Sequence, residues 1–157
     1  MQNMDTVEKD ILNEKITTID TVKELWSKTY NKEGKPDWSH ILPFYDPNIN
    51  FRDSIQELKG IEEFKAMTVR LTERSKDLKM RIVDAVMQEN RVFIEWEMTI
   101  GFKRNPSSIL YGTSRLTINE KGKIKEQRDY FDLWGDIFDN IPRFGKMYRR
   151  FVKRKFG

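Results

Sequence analysis

From Arg91 to Phe102 the chain alternates without a break. Val92, Ile94, Trp96, Met98, Ile100 and Phe102 fall on one side, and Phe93, Glu95, Glu97 and Thr99 on the other. A period of two over this length predicts a long strand with one wholly apolar face. Residues 78–87 repeat the pattern, with Leu78, Met80, Ile82 and Val86 on one face and Asp84 interrupting it; Glu89-Asn90 makes the tight turn between the two strands. Residues 109–118 and 123–132 read as two more strands joined by the hairpin turn Asn119-Glu120-Lys121-Gly122, with Asn105-Pro106-Ser107-Ser108 as the loop before them.

The N-terminal half has a different period. Val22, Leu25, Trp26 and Tyr30 lie at helical spacing behind Asp20 as a cap, predicting a helix over 21–30 that Lys32 to Pro36 stops. A short second helix is expected at His40-Ile41-Leu42, capped by Asp37 or Ser39 and ended by Pro43. Tyr45 to Asn48 reads as a turn and residues 49–53 as a short strand. Gly60 opens a third helix with Ile61, Phe64, Met67 and Leu71 as its apolar stripe. The first fifteen residues are polar and read as frayed. A last helical region starts near Leu133 and is divided by Pro142, and Tyr148, Phe151 and Val152 give its second part an apolar edge. Helices grouped early and a strand meander grouped late predict an α+β fold: a mostly antiparallel curved sheet packed on the N-terminal helices, with an extra C-terminal helix.

The 157 residues suit one domain, with a core at 17–142 and a tail at 143–157. A chain of this size buries roughly 70% of its unfolded surface without staples. No cysteine is present, which excludes disulfides, thiolate metal sites and a cysteine nucleophile. The N-terminus carries no apolar core of a secretory signal, and the expected location is cytoplasmic. The net charge of +4 is unevenly placed: Arg143, Lys146, Arg149, Arg150, Lys153, Arg154 and Lys155 occur with no acid after Asn140, so residues 1–140 are net negative. Interleaved with Tyr148, Phe151, Val152 and Phe156, these cations suit either a peripheral membrane contact or a solvated helix docked on its own domain. No motif for specific nucleic-acid binding occurs.

The segment Asp46-Pro47-Asn48-Ile49-Asn50-Phe51-Arg52-Asp53, the helix-opening Gly60, and Gly122-Lys123-Ile124 leading into Gln127-Arg128-Asp129-Tyr130-Phe131-Asp132 resemble the nuclear-transport-factor-2-like superfamily. Within it they are most similar to its SnoaL-like, limonene-epoxide-hydrolase-like and ketosteroid-isomerase-like branches, over about residues 21–142. The resemblance implies a cone-shaped sheet closed by helices around a deep pocket, often paired into a homodimer through the sheet. It implies activities ranging from isomerases, cyclases and hydrolases to non-catalytic binders, so the fold alone does not name one. The epoxide-hydrolase pattern puts an aspartate on the last strand, here Asp132. It puts an arginine and an aspartate two apart on the long middle strand, here Glu95 and Glu97, and a tyrosine and an asparagine on the first strand, here Phe51 and Asp53. The bridging arginine and the tyrosine are therefore missing.

On a period-two reading Asp132 shares a face with Tyr130 and Arg128, while Gln127, Asp129 and Phe131 face the other way. If that face lines the cone, Asp132 is a desolvated proton carrier with Tyr130 and Arg128 orienting the ligand; otherwise Asp132 caps the following helix. Asp53 or Glu97 is the candidate second carboxylate, and Trp96, Tyr45, Phe51 and Tyr111 are candidate pocket walls. Ketosteroid isomerase pairs two aspartates and a tyrosine in this way. His40 is the one histidine and suits a helix end or pocket rim better than zinc. The expected function is cofactor-independent acid/base chemistry of isomerase, cyclase or hydratase type on a small lipophilic ligand. Non-catalytic ligand binding, and an interaction role for the basic tail at anionic membrane or nucleic acid, are the alternatives.

Overall fold

The computed structural model describes residues 2–30, 35–103 and 106–157. Most of the helix stop read at Lys32 to Pro36, and Asn105 of the loop at 105–108, lie outside the described residues. Four α-helices, α1 (Gln2–Leu12), α2 (Ile19–Thr29), α3 (Ile61–Arg74) and α4 (Phe144–Phe156), accompany six strands: β1 (Tyr45–Arg52), β2 (Glu57–Lys59), β3 (Ser75–Gln88), β4 (Arg91–Phe102), β5 (Ser108–Ile118) and β6 (Ile124–Phe131). The strands form one curved, unclosed sheet in the order β2-β1-β6-β5-β4-β3. Among the described residues the β1–β6 pairing alone is parallel. This is the α+β arrangement predicted from the pattern of periods.

β4 has the bounds and the parity read from its alternation. Val92, Ile94, Trp96, Met98 and Ile100 are buried on the concave face, where α2 lies against β3 and α3 against β1 and β3. Phe64 of α3 packs its ring on Tyr45 and Phe51 at 4.6 and 5.3 Å between centroids, which seats the helix on the first strand.

The differences from expectation have local causes. Residues 45–48 are not a free turn but the start of β1, whose pairing with β6 shifts between Tyr45 and Asn50. The short second helix is a 3₁₀ turn at Leu42–Phe44 that contains Pro43 instead of ending before it. β2 is three residues long, too short for the alternation of Leu58 between Glu57 and Lys59 to mark a strand, and was not foreseen. In β3 a register shift between Ile82 and Asp84 moves Ala85 onto the buried side and leaves Val86 exposed, because one extra residue reverses the parity of everything after it.

The N-terminal residues expected to fray form α1. Asp10 is buried and accepts from the Thr17 N–H at 3.0 Å and from the hydroxyls of Thr17 and Thr21. The Ile16 N–H donates to the carbonyl of Gly122 at 2.9 Å, tying this end to the β5–β6 hairpin. Thr18, not Asp20, caps α2, its hydroxyl accepting from the Thr21 N–H. Asp10→Ala should leave the buried Thr21 hydroxyl and the two part-buried Thr17 donors without this acceptor and cost about 1–3 kcal/mol. Urea unfolding checks this; an unchanged midpoint would mean that the carboxylate holds nothing.

Candidate active site

Between the concave face of the sheet and the helices α2 and α3 lies a cavity of about 280 Å³. Trp26, Phe51, Phe64, Met98, Ile100 and Leu110 give it a predominantly apolar wall. Its polar groups are few. Ser114 on β5 and Gln127 and Asp129 on β6 line the inner side, and Asp53, Gln56, Arg70 and Arg74 contribute from β1, its following loop and α3.

Asp129 is the centre of a chain of donors. The Ser114 hydroxyl donates to its Oδ1 at 2.7 Å, and the indole N–H of Trp96 donates to Ser114 Oγ at 2.9 Å. From the other side Gln127 Nε2 donates to Oδ1 at 3.1 Å and reaches Oδ2 at 3.3 Å. The Tyr45 hydroxyl fixes that amide, donating to Gln127 Oε1 at 2.6 Å. Oδ1 is therefore engaged twice, while Oδ2 has one long contact. The chain depends on Gly112, which pairs with Trp96 across the sheet and whose missing side chain leaves the space the indole occupies.

Burial raises the Asp129 carboxyl to about 6, and the negative charge of Asp53 adds to the effect; the hydrogen bonds from Ser114 and Gln127 oppose it without cancelling it. Burial, with the Asp129 charge second, pushes the Tyr30 phenol well above its ordinary value, so this ring at the cavity wall keeps its proton. Asp53 Oδ1 accepts from the N–H groups of Ile55 at 2.7 Å and Gln56 at 2.8 Å, an Asx turn that leaves Oδ2 uncommitted.

The predicted site residues divide between the two faces of the sheet. Asp53, Trp96 and Phe51 line the cavity. Tyr45 is buried just behind it, holding Gln127. Asp132, Tyr130 and Arg128, the candidate proton carrier and its orienting partners, do not line it; of the two faces sorted by the period of two, the other one does. A register shift between Thr117 and Ile118, where β5 meets the start of β6, turns Gln127, Asp129 and Phe131 inward instead. Arg128 stacks over the ring of Tyr130, which is exposed on the outer face. Asp132 caps the π-helical turn at Leu133–Ile137, accepting from the N–H groups of Trp134 at 3.1 Å and Gly135 at 2.9 Å. Glu97 lies on the outer face in an ion pair with Arg81 at 2.7 Å, and Glu95 is exposed there too. Tyr111 is exposed opposite Glu97. His40 is a clasp within the fold, its Nε2 within 3.0 Å of the Leu25 carbonyl and 3.1 Å of the Thr29 hydroxyl. Among the described residues no three His, Cys, Asp or Glu side chains gather as a metal site.

The sign of the Asp129 shift sets a pH dependence. A carboxyl raised from 3.8 to about 6 on folding binds its proton more tightly in the native state. Stability is then greatest below about pH 4, falls as pH rises to about 6, and is level above, a loss of up to about 3 kcal/mol. Asp129→Asn should remove that slope and be the more stable form at neutral pH. Urea unfolding at a series of pH values checks this; a difference between wild type and variant that stays constant from about pH 4 to 7 would show that the carboxyl is not desolvated.

A family model for the SnoaL-like domain matches residues 24–127. No protein of curated function is significantly similar in sequence. Three solved structures share the fold. One is a hypothetical protein of ketosteroid isomerase-like fold from Catenulispora acidiphila in complex with trimethylamine, with TM-score 0.66, 16% identity, and 80% of this chain and 94% of that one covered. A proposed SnoaL-like polyketide cyclase from Jannaschia sp. CCS1 has TM-score 0.61 and 21% identity, with 73% and 85% covered. An LEH-like epoxide hydrolase from M. tuberculosis has TM-score 0.57 and 15% identity, with 74% and 84% covered. With about two thirds of its length matched by the family model, the chain belongs to the SnoaL-like domain family, and it shares its fold with these structures.

Proposed function

We propose that this protein binds a small lipophilic ligand in the cavity and moves a proton on it, with Asp129 as the proton carrier, in chemistry of the isomerase, cyclase or hydratase type. The observation that carries this is a carboxyl raised to about 6, anchored through Oδ1 and lining an apolar cavity. A proton carrier works best with a pKa near the ambient pH, and the hydrogen-bonded oxygen orients the group while Oδ2 exchanges the proton. Tyr30, kept protonated, is the donor for an oxyanion that develops when a carbon acid loses its proton. Asp53 is the second carboxylate. Arg70 and Arg74 line the cavity and make no ion pair among the described residues, so they favour a ligand with an acidic group. A volume near the lower end of the usual ~300–1,000 Å³ for ligand sites restricts the ligand to a small one.

The hydrolase named for the mycobacterial relative is a poorer guide. The inward positions two apart on β4 at the cavity are Trp96 and Met98, and neither can bridge two carboxylates or activate water. Asp132 and Glu97 have no part in the proposal, since their carboxylates are taken by a cap and an ion pair outside the cavity. The proposed location is the cytoplasm.

A thermal-shift screen of lipophilic ketones, epoxides and polyketide-like acids supplies the ligand, and exchange of its protons with deuterated solvent reads the chemistry. Asp129→Asn should lower the exchange rate by about 10²–10⁴-fold with affinity changed less than about tenfold, and Asp132→Asn should behave as wild type. Ligand binding with no exchange in wild type would assign a non-catalytic binder instead. Exchange undiminished in Asp129→Asn would remove that residue from the chemistry.

The convex face of the sheet supports a homodimer as a further part of this proposal. Val86, Phe93, Ile109, Tyr111 and Tyr130 are exposed there, more apolar surface than a monomer's sheet usually leaves in water. Light scattering should give twice the 18.9 kDa chain mass, and Tyr111→Glu should return the monomer. A monomer at micromolar concentration would end the dimer.

A further inference from the structure

We propose that α4 is a peripheral anchor for an anionic lipid bilayer, a role independent of the cavity chemistry. The helix meets its own domain along one side only. Gly145 packs against the backbone of Asp139, where a side chain could not fit. Tyr148 stacks on Trp134 at 4.5 Å, and Arg149 forks onto Asp139 at 2.9 and 3.1 Å. Val152, on the same side, is half-buried.

The remaining surface of α4 has two chemistries side by side. Met147 and Phe151 are 65% and 54% exposed and lie one turn apart; Phe144, one turn before them, is partly exposed while its ring packs on Trp134 and Phe138, and Phe156 stands open at the end on another side of the helix. Arg150 and Arg154 border this stripe along one edge, and Lys155 borders it on the other. The segment 141–157 contains no acid, so Lys146, Arg150 and Arg154 repel one another at i,i+4, as do Arg149 and Lys153. The N-terminus of the helix has no side-chain cap, its first residue follows Arg143 at φ 68°, and its first turn carries no acid to balance the helix dipole. An anionic surface relieves this repulsion.

An anionic bilayer satisfies both chemistries at once. Its headgroups neutralise the cations, and its acyl boundary takes up Met147 and Phe151. A nucleic acid would meet the cations and leave these apolar side chains in water. A helix of 13 residues is too short to cross a bilayer and lies in the interface plane; among the described residues no helix is long and apolar enough to span one.

The test is flotation of the full chain with vesicles of phosphatidylcholine alone or mixed with phosphatidylserine, at about 0.1 M and about 1 M salt, where screening lengths are ~10 and ~3 Å. Binding is expected to the mixed vesicles at low salt and to be lost at high salt. Each cation near an anionic surface is worth roughly fivefold in affinity, so Arg150→Gln with Arg154→Gln should weaken binding by at least about tenfold. Met147→Ser with Phe151→Ser should weaken it comparably. All four positions are exposed, and a thermal transition matching wild type confirms that the variants fold. No binding to the mixed vesicles, or equal binding to both kinds, overturns the proposal. So does a random oligonucleotide that binds while vesicles do not, or self-association that the Met147/Phe151 pair abolishes without vesicle binding by wild type.

Discussion

A carboxylate in an apolar cavity must find its hydrogen bonds among side chains, and that requirement organises the concave face of this sheet. Asp129 has no backbone N–H to lean on, because in β6 those groups serve the ladders to β5 and β1. Its partners are instead Ser114 on the neighbouring strand and Gln127 two residues earlier on its own. Each partner is itself held by a buried aromatic donor, Trp96 for the serine and Tyr45 for the amide. Every donor in the chain points toward the carboxylate, so the polarisation accumulates there. Gly112 belongs to the same arrangement, since a side chain at that position would expel the indole and with it the donor to Ser114.

The two faces of the sheet consequently handle acids differently. Outside, Glu97 finds Arg81 and Asp132 finds the N–H groups that open a helical turn. Both carboxylates are thereby committed to partners outside the cavity. Inside, the desolvation of Asp129 outweighs two hydrogen bonds. An acid at the last strand is therefore chemically useful or merely structural according to which face it occupies.

That dependence explains how much was legible in the sequence. β4 was read with its bounds and with its residues sorted into two faces, because twelve residues alternate without interruption; the pattern leaves open which face lines the cavity, the apolar one or that of Glu95 and Glu97. The order of elements followed from the change of period, and the hairpin at Gly122 from its turn residues. For β6 the period of two sorts the residues into the two faces that the structure has, Arg128, Tyr130 and Asp132 against Gln127, Asp129 and Phe131, and leaves open which face lines the cavity. Ile124 is buried, and strict alternation from it would bring Arg128, Tyr130 and Asp132 inward. The strand pairs Ile118 with Ile124 but Thr117 with Glu126, so Lys125 is an extra residue, and inward positions beyond it are odd-numbered. The same event after Ile82 in β3 sent Val86 outward. A bulge has no compositional mark in so polar a strand, and Gln127, Asp129 and Phe131 are no more apolar as a set than Arg128, Tyr130 and Asp132. The resemblance pointed to Asp132, which stands just beyond β6, and did not decide which face of the strand lines the cavity.

Burial alone does not make Asp129 a reactive group, and Asp10 supplies the comparison within the same chain. Both aspartates accept from hydroxyl groups away from bulk water. Asp10 has both oxygens committed, Oδ1 to the Thr17 hydroxyl and Oδ2 to the Thr17 N–H and the Thr21 hydroxyl, and it does not line the cavity. Its hydrogen bonds join α1 to the start of α2. Asp129 concentrates its partners on Oδ1 and faces open space. It can accept a proton on Oδ2 without breaking the contacts that hold it in place. What separates a carboxylate that fastens the fold from one that can act on a ligand is the distribution of donors over its two oxygens, together with the cavity in front of it.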